Sequence, residues 1–305
     1  MTSVSLSTIV SIKNPNRDAD QTASLLPLTV GPYRVVVGFV LASLIWKSYA
    51  YPSLFNAYLE CQLSDSFFPS WFRNAYALAG LMIVPAVAAL LSLLTSKKRT
   101  LQILASTMAA CMLGLCLHQG SYNDATFVTC FWVSLWCVWY TTRIDSPRAL
   151  AHGQTFAIAI ISMIFLGGVV GKLTPGYWSG QMLYEIYFVD RDFWLFNILR
   201  SNFETETLRE IATYYSRIVI ITEASCALLW LLPKKVAASA ALSVLLGLTL
   251  FSNVNLFSVT FCLIGLCLFV LHEPAATGHS QHPDANPFGS EPKGLKEGPH
   301  ETAAA

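Results

Sequence analysis

A glycine-rich apolar run that stops at a single lysine is the first stretch of this sequence that could perform chemistry. Residues 165–180 read FLGGVVGKLTPGYWSG, with the lysine at position 172. A phosphate-binding loop of the G-x-x-x-x-G-K type needs a glycine five residues before its second glycine, and Ser or Thr directly after the lysine. Leu166 and Leu173 stand at those two positions, so the sequence excludes this kind of nucleotide site.

Lys172 is the candidate catalytic residue, and two interpretations of it remain open. A lysine at the end of an apolar helix commonly extends its ammonium group to the membrane surface, where it also interacts favourably with the helix C-terminus. Alternatively, the lysine is kept partly desolvated beneath the loop that follows, which favours the neutral amine and makes it available as a base. The last helical turn, GGVVGK, has so few side-chain atoms that another helix or a ligand could approach its backbone closely.

Glu223 is the second unusual residue, because it lies roughly nine residues from either polar end of the apolar stretch 214–232. A carboxylate at that depth in a bilayer is costly and marks a candidate functional site. It could be protonated, hydrogen-bonded to a neighbouring Tyr, Ser or Asn, or paired with a cation such as Lys172 or Lys47. The structural alternative is a glutamate that only joins two packed helices.

A polar cluster, LHQGSYND at 117–124, separates two apolar stretches and supplies three more candidate binding residues, His118, Tyr122 and Asn123. The imidazole of His118 could exchange a proton near neutral pH. It could equally hydrogen-bond a free carbonyl at the end of a helix. Asp124 is a predicted N-cap of the helix that follows.

The elements that must position these residues are apolar helices. The chain has 305 residues, of which 54% are hydrophobic and 12% are charged, with a mean hydropathy of +0.51; soluble chains carry roughly 25% charge. Uncharged apolar stretches of about 17 to 20 residues are long enough to cross a ~30 Å hydrocarbon core. They lie at approximately 32–50, 75–95, 101–118, 125–142, 153–171, 214–232, 236–252 and 255–271. We therefore predict an all-α integral membrane protein, a bundle of about eight transmembrane helices.

The composition changes at both ends of this bundle. Residues 1–30 form a polar N-terminal arm without the continuous apolar core of a signal peptide. Residues 31–272 are the predicted transmembrane helical domain. Residues 273–305 are rich in Pro, Gly, His, Lys and Glu, so they cannot bury enough apolar surface to fold, and we expect a disordered cytoplasmic tail.

Basic residues occur on one side of this eight-span topology, which predicts that both termini are cytoplasmic. These residues are Lys13, Arg17, Arg34, Lys97, Lys98, Arg99, Arg143, Arg148, Lys234 and Lys235. The opposite face then includes a long non-cytoplasmic loop after the fifth span, at 172–213, and long ordered loops are usually functional. Its aromatic residues could instead form an interfacial belt, with 181–200 lying along the membrane as an amphipathic helix. The absence of an Asn-x-Ser/Thr sequon favours a bacterial inner membrane over the endoplasmic reticulum.

Metal, haem and disulfide chemistry are not expected. The eight cysteines include no C-x-x-C pair, and seven of them fall inside apolar spans, where a thiol behaves as a small hydrophobe. His118 and His152 lie at opposite ends of their spans and cannot form a bis-histidine haem site. Membrane lipid is the expected partner, and a formal net charge of +1 gives no indication of nucleic acid. The protein partner, if any, is not identified by the sequence.

The lysine segment resembles the membrane domain of the vitamin K-dependent gamma-carboxylase family, including its bacterial relatives with a horizontally transferred transmembrane domain. That family carries a Lys-Leu pair at the end of a span, followed by a tryptophan and a glycine, here Lys172, Leu173, Trp178 and Gly180. Further similar motifs follow in order: Arg34 in YRVVVGFVLASL, GSYND before span four, TEASCALLWLLPKK, and NLFSVTF at 255–261. The resemblance covers about residues 31–271.

The resemblance implies an enzyme in which Lys172 is the base toward a reduced naphthoquinone, menaquinone or vitamin K. In that scheme deprotonation starts a reaction with oxygen, which gives a quinone epoxide and a strong base that removes a glutamate γ-proton before carboxylation by carbon dioxide. Glu223 and the 118–124 cluster would shape the quinone pocket. The segment containing Trp178 and Gly180 would cover it.

The sequence departs from that family at three places. Gly120 stands where the family has a histidine, with His118 displaced by two residues, and the segment around Leu250 and Asn253 lacks a second family histidine. No lumenal domain follows the last span. We therefore expect quinone chemistry at Lys172 without protein carboxylation. The alternative is a non-enzymatic scaffold or accessory subunit, as in the more distantly similar DoxX-like proteins, in which arginine could replace Lys172.

Overall fold

A computed structural model of the chain describes residues 15–60, 72, 74–118, 124–146, 148–189, 194–251 and 256–273. Within these ranges every regular element is a helix, and no strand occurs there. The predicted binding residues Tyr122 and Asn123 lie outside the described residues, as do Cys61, residues 1–14 of the predicted arm and residues 274–305 of the predicted tail. Residues 15–29 of the arm form the first part of a long helix.

The described helices follow one another along the chain. In chain order they are α1 (Pro15–Ser48), α2 (Tyr51–Glu60), α3 (Ala75–Leu94), α4 (Lys98–Leu117), α5 (Ala125–Arg143), α6 (Ala149–Lys172), α7 (Pro175–Trp178), α8 (Gln181–Leu183), a π-helical stretch (Tyr184–Val189), α9 (Trp194–Asn202), α10 (Thr205–Ala227), a 3₁₀ turn (Leu229–Leu231), α11 (Lys234–Phe251) and α12 (Phe257–Leu271).

Four helices among the described residues are long and apolar enough to cross a membrane, and they coincide with predicted spans one, two, three and five. They are Val30–Ser48 within α1, α3, α4 and α6. The remaining predicted spans correspond to α5, α10, α11 and α12, which are shorter or less apolar. For example, α12 has 15 residues, about 22 Å of helix, and α10 begins with the charged sequence TETLRE.

Two helix boundaries next to the candidate residues follow directly from the sequence. The side chain of Asp124 accepts a hydrogen bond of 2.8 Å from the backbone N–H of Thr126, which confirms the predicted N-cap of α5. Helix α6 ends at Lys172, and Pro175 then begins the short helix α7. A proline at the first helical position is tolerated there because its missing N–H has no helical partner.

The segment 175–202, predicted as part of a long loop, is largely helical where the structure describes it. Its aromatic and aliphatic side chains, together with the first turns of α10, build a small core of their own. The buried members are Leu183, Tyr187, Phe188, Phe196, Leu208 and Ala212. Helix α10 begins at Thr205, nine residues before the predicted span at 214. The sequence left open an amphipathic helix at 181–200 within this loop, and the helical backbone found here lets these apolar side chains bury one another.

Aromatic packing fixes α5, α6 and α12 around the candidate site. The indole of Trp136 stacks on Tyr140 and donates a hydrogen bond of 3.0 Å to the carbonyl of Gly153 in α6. The ring of Phe269 in α12 meets Trp136 edge-on at a centroid distance of 4.6 Å. Because Trp136 and Tyr140 are fully buried, these contacts hold the three helices in one register.

Candidate functional site: an ion pair on the wall of an apolar cavity

Lys172 and Glu223 form an ion pair between the end of α6 and the last two turns of α10. The ammonium nitrogen of Lys172 lies 2.7 Å from each carboxylate oxygen of Glu223. Their side chains are 24% and 12% exposed, respectively. Of the partners that the sequence left open for Glu223, the structure therefore places Lys172 against it. Lys47, the other candidate, pairs with Asp124.

Gly168 makes room for this pair. It lies one helical turn before Lys172, on the same face of α6. A Cβ atom at position 168 would lie 3.1 Å from Oε2 of Glu223 and 3.6 Å from Nζ of Lys172. A Cβ at Gly167 or Gly171 would meet nothing within 4 Å. Of the three glycines in this run, Gly168 is the one whose missing side chain lets the carboxylate approach the α6 backbone.

Gly168→Ala and Gly167→Ala should therefore differ in stability, although both add one methyl group to the same helix. Replacing glycine by alanine in a helix interior stabilises the helix by up to about 1 kcal/mol. We expect Gly167→Ala to retain that gain and Gly168→Ala to lose it, because the new methyl group displaces the Glu223 carboxylate. Thermal unfolding of the two purified variants in the same detergent measures the difference, and equal shifts would contradict this role of Gly168.

The ion pair lies on the wall of a cavity of about 620 Å³ between α5, α6, α10, α11 and α12. Most of the wall is aliphatic or aromatic, contributed by Val128, Trp132, Met163, Ile164, Phe165, Leu245, Leu248, Leu256, Val259 and Leu263. Two threonine hydroxyls in the wall, of Thr129 and Thr260, donate to carbonyls of their own helices. Among the described lining residues, Lys172 and Glu223 are the charged ones.

This arrangement suits an amphipathic ligand. An ammonium group has three N–H donors and no acceptor, while a carboxylate offers about four lone-pair sites. Lys172 and Glu223 therefore keep capacity to donate to, and accept from, a polar group in the cavity while they remain paired. Because the surrounding wall is apolar, those contacts are stronger than they would be in water.

His118 lies apart from this cavity. Its ring packs against Tyr58 and Phe72, with ring-centroid distances of 5.0 Å and 5.3 Å. Burial lowers the pKa of His118. His118 is not among the cavity-lining residues, and it closes the C-terminal end of α4 instead.

Trp178 and Gly180 also lie outside the cavity wall, where they hold α7 and α8 against α10. The guanidinium of Arg217 lies 5.6 Å from the ring centroid of half-exposed Trp178. Gly180 has a positive φ of 78° and packs directly on the α10 backbone at Thr213. The hydroxyl of Thr213 donates a hydrogen bond of 2.7 Å to the carbonyl of Ser179. These contacts position the helix that carries Glu223.

Sequence reasoning missed the apolar half of the site and the second ion pair. Leu256, Val259 and Leu263 show the spacing of one helical face, but ordinary core residues have the same spacing. Asp124 was recognised as a helix cap, and its pairing with Lys47 was not. That pair had one signal in the sequence, a lysine in the last turn of α1.

Within the described part of the chain, no group of three or more His, Cys, Asp or Glu side chains is arranged to hold a metal ion. The seven cysteines among the described residues are free thiols, and five of them are buried. Comparison with known proteins gives no further indication of function, since no protein-family model, curated protein or solved structure matches this chain.

Proposed function

We propose that this chain is an integral membrane protein of about eight spans, with both termini in the cytoplasm of a bacterium, that binds a lipid quinone in the cavity beside Lys172 and Glu223. The observation that supports this proposal is the ion pair on an otherwise apolar wall. A quinone likewise has a polar part and an apolar part, since its ring carries two oxygens and its isoprenoid tail is apolar. The resemblance of the Lys172 segment to vitamin K-dependent carboxylases points to the same ligand class.

The volume of the cavity and its position among the predicted transmembrane helices agree with a quinone ligand. A volume of about 620 Å³ lies within the usual range for small-molecule sites, about 300 to 1,000 Å³. All five helices that form the cavity lie within the predicted transmembrane domain, and α6 is long and apolar enough to cross a membrane. A lipid-soluble ligand would therefore reach the cavity through the bilayer, where quinones are dissolved.

The pair could remove a proton from a quinol as a unit. The quinol O–H bond breaks, the proton moves to the carboxylate of Glu223, and the ammonium of Lys172 hydrogen-bonds the remaining quinol oxygen anion. Lys172 itself becomes the base when it first gives a proton to Glu223, a transfer that their separation of 2.7 Å permits. In both routes the cavity wall keeps water away from the anion.

Substitution of Lys172 tests the proposal through quinone affinity. We expect Lys172→Met to raise the Kd for a short-chain menaquinone by about tenfold or more, because a hydrogen bond to a charged group contributes roughly 1.5 to 3 kcal/mol. Binding would be measured by equilibrium titration of protein reconstituted in lipid nanodiscs. Lys98→Met removes a lysine from the half-exposed pair with Asp145 and should leave the Kd unchanged.

The same ion pair also favours the alternative, a non-enzymatic scaffold, because it joins α6 to α10. A scaffold requires the charge of Lys172 and no particular ligand. Lys172→Arg would then preserve every property of the protein. Saturable menaquinone binding that is lost in Lys172→Met supports the quinone proposal, and absence of such binding in the wild type supports the scaffold.

A further inference from the structure

A second cavity, of about 560 Å³, runs along α6 from Thr155 to Leu166. Its described wall combines this part of α6 with Ala227 at the end of α10, Trp230 in the 3₁₀ turn, and the start of α11 at Lys234. Lys172 and Glu223 do not line it. Met163 lines both cavities, so this groove adjoins the candidate quinone site but does not include its ion pair.

The length of the groove matches one leaflet of a bilayer. Its α6 wall runs from Thr155 through Ile158 and Ala159 to Leu166. These eleven residue steps correspond to about 16 Å of helix. Half of a hydrocarbon core is about 15 Å. The groove is thus long enough for one extended acyl chain of a single leaflet.

The positive charge of Lys234 lies at the end of this groove that is formed by Thr155. The ammonium of Lys234 donates a hydrogen bond of 2.8 Å to the carbonyl of Ala151. Ala151 lies four residues before Thr155, about 6 Å further along the helix. Two of the three ammonium N–H groups are not needed for that bond. The charge therefore lies where a phosphate would be if an acyl chain filled the groove.

Other groups at this end strengthen the positive potential. Arg148 precedes α6 by one residue. Asp145, an acidic residue in the same connection, is already paired with Lys98 at 2.5 Å. Trp230 is 62% exposed, and its amphipathic ring suits the boundary between hydrocarbon and headgroups.

We infer that this groove binds an anionic glycerophospholipid of the cytoplasmic leaflet. One acyl chain lies along α6 and the phosphate pairs with Lys234. The inference rests on the membrane placement proposed above and does not depend on quinone binding. Charge complementarity favours an anionic lipid over a zwitterionic one, because the ammonium group of choline would face the ammonium group of Lys234.

Native mass spectrometry of the full-length protein with equal amounts of phosphatidylglycerol and phosphatidylcholine tests the headgroup contact. We expect the wild type to retain phosphatidylglycerol preferentially. Lys234→Ala should lower that retention about fivefold, the effect of one basic residue near a membrane surface. Lys234→Arg should preserve it, and Lys97→Ala, on the same predicted side of the membrane, should have no effect. Equal retention of the two lipids, or equal loss in both alanine variants, would overturn the inference.

Filling the groove tests the acyl-chain contact without altering the charge. Ala159 is an exposed groove residue, so Ala159→Trp can occupy the groove without disturbing the core. We expect it to reduce retention of phosphatidylglycerol, whereas Ile83→Trp, at an exposed position away from the groove, should not. Undiminished retention in Ala159→Trp would show that the lipid binds elsewhere. Because none of these residues contacts the Lys172–Glu223 pair, menaquinone titration of the same variants reports separately on the proposed function.

Discussion

We expect Lys172→Met to lower the free energy of unfolding by about 2 to 3 kcal/mol. The substitution removes one partner of a buried ion pair and leaves the carboxylate of Glu223 without its cation. Breaking such pairs typically costs about 3 to 5 kcal/mol. The expected value lies at or below the lower end because the two side chains keep 24% and 12% exposure. Chemical unfolding of the detergent-solubilised protein, followed by circular dichroism, measures the change.

A second substitution and a matched control make this expectation specific to the pair. Glu223→Leu added to Lys172→Met should recover most of the loss, because an apolar pair of similar volume often replaces a buried ion pair without cost. Lys98→Met breaks a pair whose side chains are 36% and 33% exposed, and should cost under about 1 kcal/mol. Equal losses in Lys172→Met and Lys98→Met would show that the cavity wall does not bury the pair effectively.

The rescued double variant also separates the two candidate functions. It keeps the apolar cavity and the packing of α6 on α10, and it lacks both groups that could contact a quinone ring. If the quinone proposal holds, the double variant is stable and does not bind menaquinone. If the pair only joins two helices, the double variant retains the function of the wild-type protein.

The two members of the pair could be found from the sequence, and their contact could not. Lys172 and Glu223 are conspicuous because each is a charge beside or within an apolar run. They are 51 residues apart in the chain, and their approach depends on the register of α10 against α6. That register is determined by tertiary packing at Gly168 and Gly180, which local periodicity does not encode.

The apolar helices were predictable from composition, whereas the folding of the segment between α6 and α10 was not. Long uncharged runs identify α3, α4 and α6 directly. Residues 175–202 instead mix charges with aromatic side chains, a composition that an interfacial belt would share. Only the packing of side chains such as Tyr187 and Phe196, whose ring centroids are 5.0 Å apart, distinguishes a folded core from a belt.

Trp178 and Gly180 show why a short motif can identify important residues and still not define their role. The resemblance to the vitamin K-dependent gamma-carboxylase family implies that both cover a ligand. In the structure both contact α10, and neither lines the cavity. Their spacing after Lys172 is consistent with a turn that brings the chain back onto the helix carrying Glu223. Trp178 and Gly180 can therefore influence the site by positioning α10, without contact with a ligand in the cavity.

Gly180→Ala is accordingly expected to be among the most damaging single-methyl substitutions in the protein, with a loss of about 3 kcal/mol or more. A residue with a side chain costs about 1 to 2 kcal/mol in the left-handed conformation that Gly180 adopts, at a φ of 78°. In addition, the new Cβ would lie 2.4 Å from Cα and 2.5 Å from the backbone N of Thr213. Backbone atoms cannot rotate away, so α10 itself must move, and overpacking of this kind adds roughly 1 to 3 kcal/mol.

Unfolding measurements on three glycine variants test that explanation. Gly171→Ala places its Cβ in open space and should be nearly neutral, and Gly176→Ala meets only the flexible side chain of Met182 at 3.1 Å and should cost little. Gly180→Ala should also expose the segment 175–202 to limited proteolysis, because its contact with α10 is lost. A neutral Gly180→Ala would mean that this turn does not position α10. The Lys172–Glu223 geometry would then depend on Gly168 and the cavity wall alone.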